Sequence, residues 1–501
     1  MSTSSEVRRE LELLLRTRMP AVGLISWEET RVLKLVREVA RVLSPARDVF
    51  TWSASAGLRQ DGQPVPGVSP TCTMQEALAA VADHKGPAIF CLLDPTLHEP
   101  HLARAIRDLI NSTGNQPRSL IFVGPELTLH PSLERSVARL EVPPPDQTEL
   151  RNILNSVASR CVSVTGVEVQ LSGDAPDRLV DAAKGLLAEE AERAFIRALL
   201  QAQRLSAAEV ELVLREKRRS LEGLRLIEVM DTHERLEDLC GLENLQGWLE
   251  RQKRAFSPEA LASRLPVPKG MLLLGLSGCG RSAVISATAA SWKLPLVRLR
   301  TPILQDKSPG LEAELRMTLL RLEQFAPLIL SIPHLDRFFV AGSETEGGRA
   351  ESPVAASLLQ WLLEKNAAVF VAATAEEFER IPLGLLWKNG FDEVFFLDFP
   401  NSEERRKLLV SLLKRRGVAP QDINLEMLVA ASDGFSGAQI EQAILRGMRE
   451  AFEQQRSLRM VDILQSLRQM TPMAAFLVEA RRKLKSWAHR RAVPASPPRD
   501  A

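Results

Sequence analysis

The stretch KGMLLLGLSGCGRSAV, residues 269–284, sets Gly275, Gly280 and Ser282 at the spacing of a phosphate-binding loop, Gly-x-x-x-x-Gly-Lys-Ser/Thr, with Arg281 in the lysine position. In such a loop the backbone N–H groups of a glycine-rich turn point at a phosphate, and the helix that follows adds the positive end of its dipole. The candidate anion-binding residues are Gly275, Leu276, Ser277, Gly278, Cys279, Gly280, Arg281 and Ser282, and the ligand that suits the pattern is ATP or ADP. Ser282 keeps the hydroxyl that would hold Mg2+. Arg281 keeps a positive charge but replaces a compact ammonium with a broad planar guanidinium, so weakened or altered phosphate binding is expected. The plainer reading of the same residues is a glycine turn joining strand to helix, with no ligand.

A loop of this kind needs a strand before it and a helix after it, and the chain supplies both, twice over. Short apolar runs alternate with longer segments of helical period, the sequence form of an α/β protein with mainly parallel sheets. In the first half the strand candidates are AVGLISW (21–27), DVFTWSA (48–54), AIFCLLD (88–94) and SLIFVG (119–124). In the second they are GMLLLG (270–275), PLVRLR (295–300), LILSI (328–332), AVFVAAT (368–374) and VFFLDF (394–399). A direct repeat joins the halves: LEVPPPD (140–146) matches LDFPNSE (397–403), and GLLAEEAERAFIR (185–197) matches GFSGAQIEQAILR (434–446). The second match aligns Gly185, Glu192, Ala194 and Arg197 with Gly434, Glu441, Ala443 and Arg446. Because both matches fall in the same order, each after a proline-ended strand, the halves read as a duplication rather than two amphipathic helices alike by chance.

The bulk numbers are those of an ordinary globular chain. At 501 residues it is too long for one core. Its 64 basic and 63 acidic side chains leave a formal net charge of +1, so no global field draws it to nucleic acid or an anionic membrane. Tyrosine is absent and the tryptophans are dispersed, which gives no aromatic-plus-basic stripe for stacking bases, and nucleic-acid binding is not expected. Cys72, Cys91, Cys161, Cys240 and Cys279 form no C-x-x-C pair and argue against a zinc site or disulfide framework. The opening MSTSSEVRRELELLL lacks the apolar core of a signal peptide, and no run approaches a membrane span, so a cytoplasmic location is expected.

PKGMLLLGLSGCGRSAV, LILSIPHLDRFF, VFVAATAEEFERIPLGLLWKNGFDEVFFLDFPNSEERRKLL and ASDGFSGAQIEQAI together resemble the AAA ATPases. Nearer still is the subfamily named after the forty-sixth hypothetical chloroplast reading frame, whose opening RTRMPAVGLISWEETRVLKLVREVA is similar to and whose entry to the AAA module CGLENLQGWLERQKRAFSPEA is similar to. The resemblance implies two tandem P-loop NTPase-like (AAA-type) parallel-sheet modules, each followed by a small helical lid, the N-terminal copy lacking a P-loop. On it the chain divides into a degenerate N-terminal module (1–205), a helical connector (206–265), the AAA core (266–402), a helical lid (403–475) and a basic, partly disordered tail (476–501). The polar, glycine-rich stretch 341–353 reads as a mobile loop.

Against the family pattern, the departures gather at the chemistry. The Walker B strand should end in Asp-Glu, the aspartate organising Mg2+ and the glutamate polarising water, and LILSIPHLD puts Pro333 and His334 there, with Asp336 too late on the chain. The sensor-one asparagine corresponds to Glu376, the arginine-finger positions hold Trp387 and Gly390, and the pore segment 301–314 has no aromatic residue. In the N-terminal half the corner LISWEETR (24–31) has no glycine cradle, and Glu28 and Glu29 would repel phosphate, while Asp94 ends a strand as a turn former before Pro95. The leading reading is a pseudo-ATPase that binds ATP or ADP weakly and acts as a protein-interaction or regulatory scaffold. A second is an active remodelling ATPase in which Glu376 is the relocated catalytic carboxylate. A third is an inactive subunit of a homo- or hetero-oligomeric AAA ring.

Overall fold

The computed structural model describes residues 4–497 apart from 70–71, 113–116, 126, 166–174, 203–208, 233, 235, 237–238, 257–259, 261–265, 306–307, 309, 340–351, 387–389 and 420–422. The chain forms two compact units, Met1–Lys217 and Arg218–Ala501.

The first unit begins with helix α1 (Ser4–Arg16) and then lays down strand β1 (Ala21–Ile25), α2 (Glu29–Val42), β2 (Asp48–Ser53), β3 (Gly57–Gln60), β4 (Gln63–Pro64), α3 (Met74–Asp83), β5 (Ala88–Leu93), α4 (Pro100–Ser112), β6 (Arg118–Gly124) and β7 (Ala138–Glu141). Its sheet runs β4-β3-β2-β5-β6-β1-β7, parallel from β2 to β7, with β3 and β4 added antiparallel at one edge. Alternate residues face opposite sides: Ile89 and Ile121 pack on α1 and α2 through Leu11, Val32 and Val36, whereas Phe90 and Phe122 pack on α3 and α4 through Leu78 and Ile106. Burial on both faces explains why β5 and β6 read as unbroken apolar runs instead of alternating ones. Helices α5 (Gln147–Thr165), α6 (Ala175–Ala183) and α7 (Ala188–Ala202) follow as a lid, and α8 (Val210–Glu222) leads onward.

The second unit repeats the plan with β8 (Ile227–Met230), α9 (Glu243–Lys253), β9 (Gly270–Gly275), α10 (Arg281–Trp292), β10 (Leu296–Leu299), α11 (Thr301–Leu304), α12 (Leu311–Gln324), β11 (Leu328–Ile332), α13 (Pro353–Glu364), β12 (Val369–Ala375), α14 (Leu383–Leu386) and β13 (Glu393–Leu397). A four-helix lid, α15 (Ser402–Arg415), α16 (Leu425–Ala431), α17 (Gly437–Glu453) and α18 (Met460–Arg468), closes around Leu409, Leu413, Leu428, Ile440, Ile444 and Ile463. The sheet order is β14-β13-β9-β12-β11-β10-β8, where β14 is Val493–Pro494. Its parallel core β10-β11-β12-β9-β13 matches β2-β5-β6-β1-β7 strand for strand in order of appearance, the duplication that the repeat predicts. In both sheets the first core strand lies between the fourth and the fifth, so the loop leaving it opens at the switch in winding direction, where α/β sheets bind ligands.

Two segments differ from expectation. The stretch 206–265, expected to be a helical connector, supplies β8, antiparallel to β10, and α9, whose Leu245, Trp248 and Leu249 share a core with Met271 and Leu273 of β9. The basic segment 476–501, expected to be a partly disordered tail, is folded over its described residues: α19 (Met473–Phe476) leads into α20 (Val478–Arg491), and β14 pairs with β13. Leu484 and Ala488 give α20 a buried stripe, so its arginines and lysines are the wet face of a docked helix, anchored where Arg481 donates twice to Asp398 at 2.7 and 2.9 Å. Residues 498–501, and 341–351 of the expected mobile loop, lie outside the described residues.

Candidate functional site

Strand β9, buried along its whole length, delivers the chain to the turn 276–280, and α10 starts at Arg281. Gly278 and Gly280 hold φ of +85° and +89°, a left-handed backbone open to glycine at little cost. A Cβ at Gly278 would come within 2.6 Å of Ser436 Oγ, the cap of lid helix α17, so the lid rests directly on the glycine turn. At Gly280, the last residue before α10, a Cβ would meet nothing within 4 Å, and no side chain caps the helix.

A cleft of about 490 Å³ opens over this turn. The core side is formed by residues 277–283 with Pro333, His334 and Thr374; the lid contributes Leu408, Leu412, Arg415, Gly437, Ala438 and Glu441. Leu239, Cys240, Leu242 and Ser496 line it as well. Ser496 donates to Glu404 at 2.5 Å and accepts from the Leu242 N–H at 3.2 Å, so the segment after β14 ties the lid to the stretch before α9. Nothing in the sequence pattern marked these last residues.

The phosphate-loop arginine does not extend into free space. Its side chain is buried, donating to the Ala375 carbonyl at 2.8 Å and to Glu376 Oε1 at 2.5 Å. Glu376, at the end of β12, is not among the residues lining the cleft. Asp336, 3 % exposed, accepts through Oδ2 from the backbone N–H groups of Glu376 and Glu377 at 3.3 and 3.1 Å, which fixes the turn that carries Glu376. His334 sits at φ +51°, its N–H donating to Thr374 Oγ1 at 3.1 Å and its Nδ1 buried without a partner. The structure therefore brings Arg281 and Glu376 together and leaves Pro333 and His334 facing the glycine turn.

Domain comparisons agree with this architecture. The chain matches the SpoVK-like AAA ATPase N-terminal domain over residues 7–142, the SpoVK-like second domain over 148–223, and the ATPase family associated with various cellular activities (AAA) over 271–399. It is 28 % identical to the AAA domain-containing protein ycf46 of Trieres chinensis over 96 % of both chains, and 29 % identical to that of Guillardia theta over 96 % of this chain and 94 % of the relative. To ycf46 of Gracilaria tenuistipitata var. liui it is 30 % identical over 75 % of this chain and 76 % of the relative. The chain belongs to the ycf46 family of AAA domain-containing proteins.

AAA ATPases imply a nucleotide, commonly with Mg2+, and the residues of this ycf46-type cleft fit the two unequally. The left-handed Gly278 and Gly280 and the uncapped start of α10 form the main-chain cradle a phosphate needs. For a divalent ion the loop offers the Ser282 hydroxyl, but Pro333 has no side-chain ligand, Asp336 gives Oδ2 to backbone N–H groups and keeps Oδ1 buried without a partner, and among the described residues no cluster of His, Cys, Asp and Glu could hold a metal. The charges lining the cleft are four carboxylates, Glu234, Asp398, Glu404 and Glu441, against two guanidiniums, Arg281 and Arg415, and Arg281 is already paired. Burial works against ionising Asp398, but hydrogen bonds from Arg481 and the Phe399 N–H, with the charges of Arg481 and Lys485, hold its carboxyl below the usual range. Burial, then the Asp398 charge, push the Cys279 thiol up to about 12, so it is no nucleophile.

The remaining family positions of this ycf46-type chain fall as follows. Trp387 lies outside the described residues, and a Cβ at Gly390 would come within 2.5 Å of Leu385 Cα, which leaves no room there for any side chain. Among the described residues Cys72, Cys91, Cys240 and Cys279 form no disulfide. No helix among the described residues is long and apolar enough to cross a membrane.

Proposed function

We propose that the chain is a pseudo-ATPase of the AAA type: it binds ADP or ATP weakly on the glycine turn 275–282, does not hydrolyse it, and acts in the cytoplasm as a scaffold or regulator by binding other proteins. The observation that carries this reading is the absence of both Walker B carboxylates at Pro333 and His334. The pairing of Arg281 with Glu376 supports it, because the one cation of the loop is neutralised by the protein itself. Purified chain incubated with MgATP should release no phosphate above background; turnover that Ser282→Ala abolishes would overturn the proposal. Calorimetric titration with ADP, ATP and MgATP measures the binding half of the reading.

An active enzyme working through Glu376 is the competing reading. It needs that carboxylate free and facing the cleft, whereas Glu376 accepts from Arg281 and does not line the cleft. A drop in turnover in Glu376→Gln would favour it. Family membership also makes a ring the natural assembly for the scaffold, and native mass measurement, alone and with a competent AAA relative, tests that.

A further inference from the structure

The first unit has its own core-to-lid cleft, of about 830 Å³, and a carboxylate stands where the second unit has its glycine turn. Glu28 directly precedes α2, the helix that follows β1, as Gly280 directly precedes α10, the helix that follows β9. On the lid side, the repeat aligns Gly185 with Gly434, both left-handed at φ +85° and +74°, which places Ala188 opposite Gly437, the first residues of α7 and α17. Gly437 lines the second cleft beside the glycine turn. Ala188 donates its backbone N–H to Glu28 Oε1.

The other carboxylate oxygen of Glu28 serves the same join through Arg31. The Glu28 side chain is 5 % exposed, and Oε2 accepts from Arg31 Nη1 at 2.8 Å. Arg31 also donates to the Pro143 carbonyl at 2.6 Å, in the stretch leading from β7 to the lid, and to Glu149 Oε2 of α5 at 2.7 Å. Burial is the largest influence on the Glu28 carboxyl and lifts its pKa above the ordinary value, with the Ala188 N–H and Arg31 opposing it. So dry a position demands a partner for each oxygen, and lid helix and core arginine provide them.

We propose that Glu28 is the built-in anion of the first unit: its carboxylate fills the seat between core corner and lid helix that a phosphate takes in a nucleotide-binding module, and so holds this lid closed without nucleotide. The corner that lost its glycine cradle did not merely lose a ligand; it acquired one in covalent form. This inference concerns the first unit and is independent of whether the second unit binds or hydrolyses ATP.

The test uses the full chain with Glu28→Ala and Glu28→Gln, reading hydrogen exchange at the N-terminal amides of α7 and the thermal midpoint with added acetate or inorganic phosphate. Exchange at Ala188 should accelerate about tenfold in Glu28→Ala, as expected for loss of a charge-assisted hydrogen bond, and less in Glu28→Gln, which keeps an acceptor. Acetate or phosphate should restore protection in Glu28→Ala and leave the wild type unmoved. Should Glu28→Ala not fold, Glu28→Gln decides by its Ala188 exchange alone. Wild-type exchange rates at α7 in the variant that folds, or equal protection of wild type and Glu28→Ala by added anion, would overturn the proposal.

Discussion

Arg281 and Glu376 lie 95 residues apart in sequence, yet the guanidinium of one reaches the carboxylate of the other at 2.5 Å. Each satisfies the other: Arg281, in the position where the loop pattern has a lysine, is a longer, forked cation, and Glu376 is its counter-ion, so no buried charge is left alone.

Releasing that cation should strengthen phosphate binding. Glu376→Gln keeps the shape of the side chain and removes its charge, leaving Arg281 free to answer an incoming anion. ADP affinity measured by calorimetry should rise by about tenfold, roughly 1.4 kcal/mol, with phosphate release from ATP still at background. Unchanged affinity would mean that Arg281 stays outside the cradle whatever it pairs with.

Glycine spacing, apolar strand runs and the internal repeat are local signals, and they sufficed for two tandem parallel sheets and for the glycine turn. The Arg281–Glu376 pair had no local signal, because it depends on which strand lies beside β9, a fact of sheet order. Strands β8 and β14, of four and two residues, are too short to show a period, and their pairing is decided by the edges they meet. Helix α20 misled for a different reason: only Leu484 and Ala488 are buried in it, so its composition is that of a solvated tail.

The docking of α20 should be acid-sensitive. Asp398 is held below its ordinary pKa, so its ion pair with Arg481 contributes stability above about pH 4 and loses it as pH falls through the lowered value. Asp398→Asn should cost about 1 kcal/mol at neutral pH, since Arg481 is partly solvated and its charge screened. Proteolysis after residue 477 should become faster in the variant, and wild type and variant should converge in acid.

Lys365 predicts the opposite limb of the pH profile. Buried, and donating to the Val369 carbonyl at 2.6 Å, it has its pKa pushed down to about 8 by burial first of all. Between about pH 8 and 10.5 the unfolded chain therefore holds a proton that the native state has released, and stability rises with pH across that window. The shift corresponds to about 3 kcal/mol at most. Urea unfolding of wild type should show this alkaline gain over Lys365→Met; parallel profiles would mean that the ammonium is better solvated than its burial implies.

Gly278 tests whether lid contact and cradle are one structure. An alanine there must adopt φ +85° and place Cβ 2.6 Å from Ser436 Oγ, so either the α17 cap moves or the turn does. The left-handed backbone alone costs a non-glycine residue about 1 kcal/mol or more, and the contact with Ser436 adds to it. Gly280→Ala meets the same backbone penalty with no neighbour within 4 Å, which makes it the control. Gly278→Ala should lower the thermal midpoint more than Gly280→Ala and accelerate amide exchange at the start of α17, an effect the control lacks. Equal behaviour of the two variants would show that the lid does not bear on the glycine turn in solution.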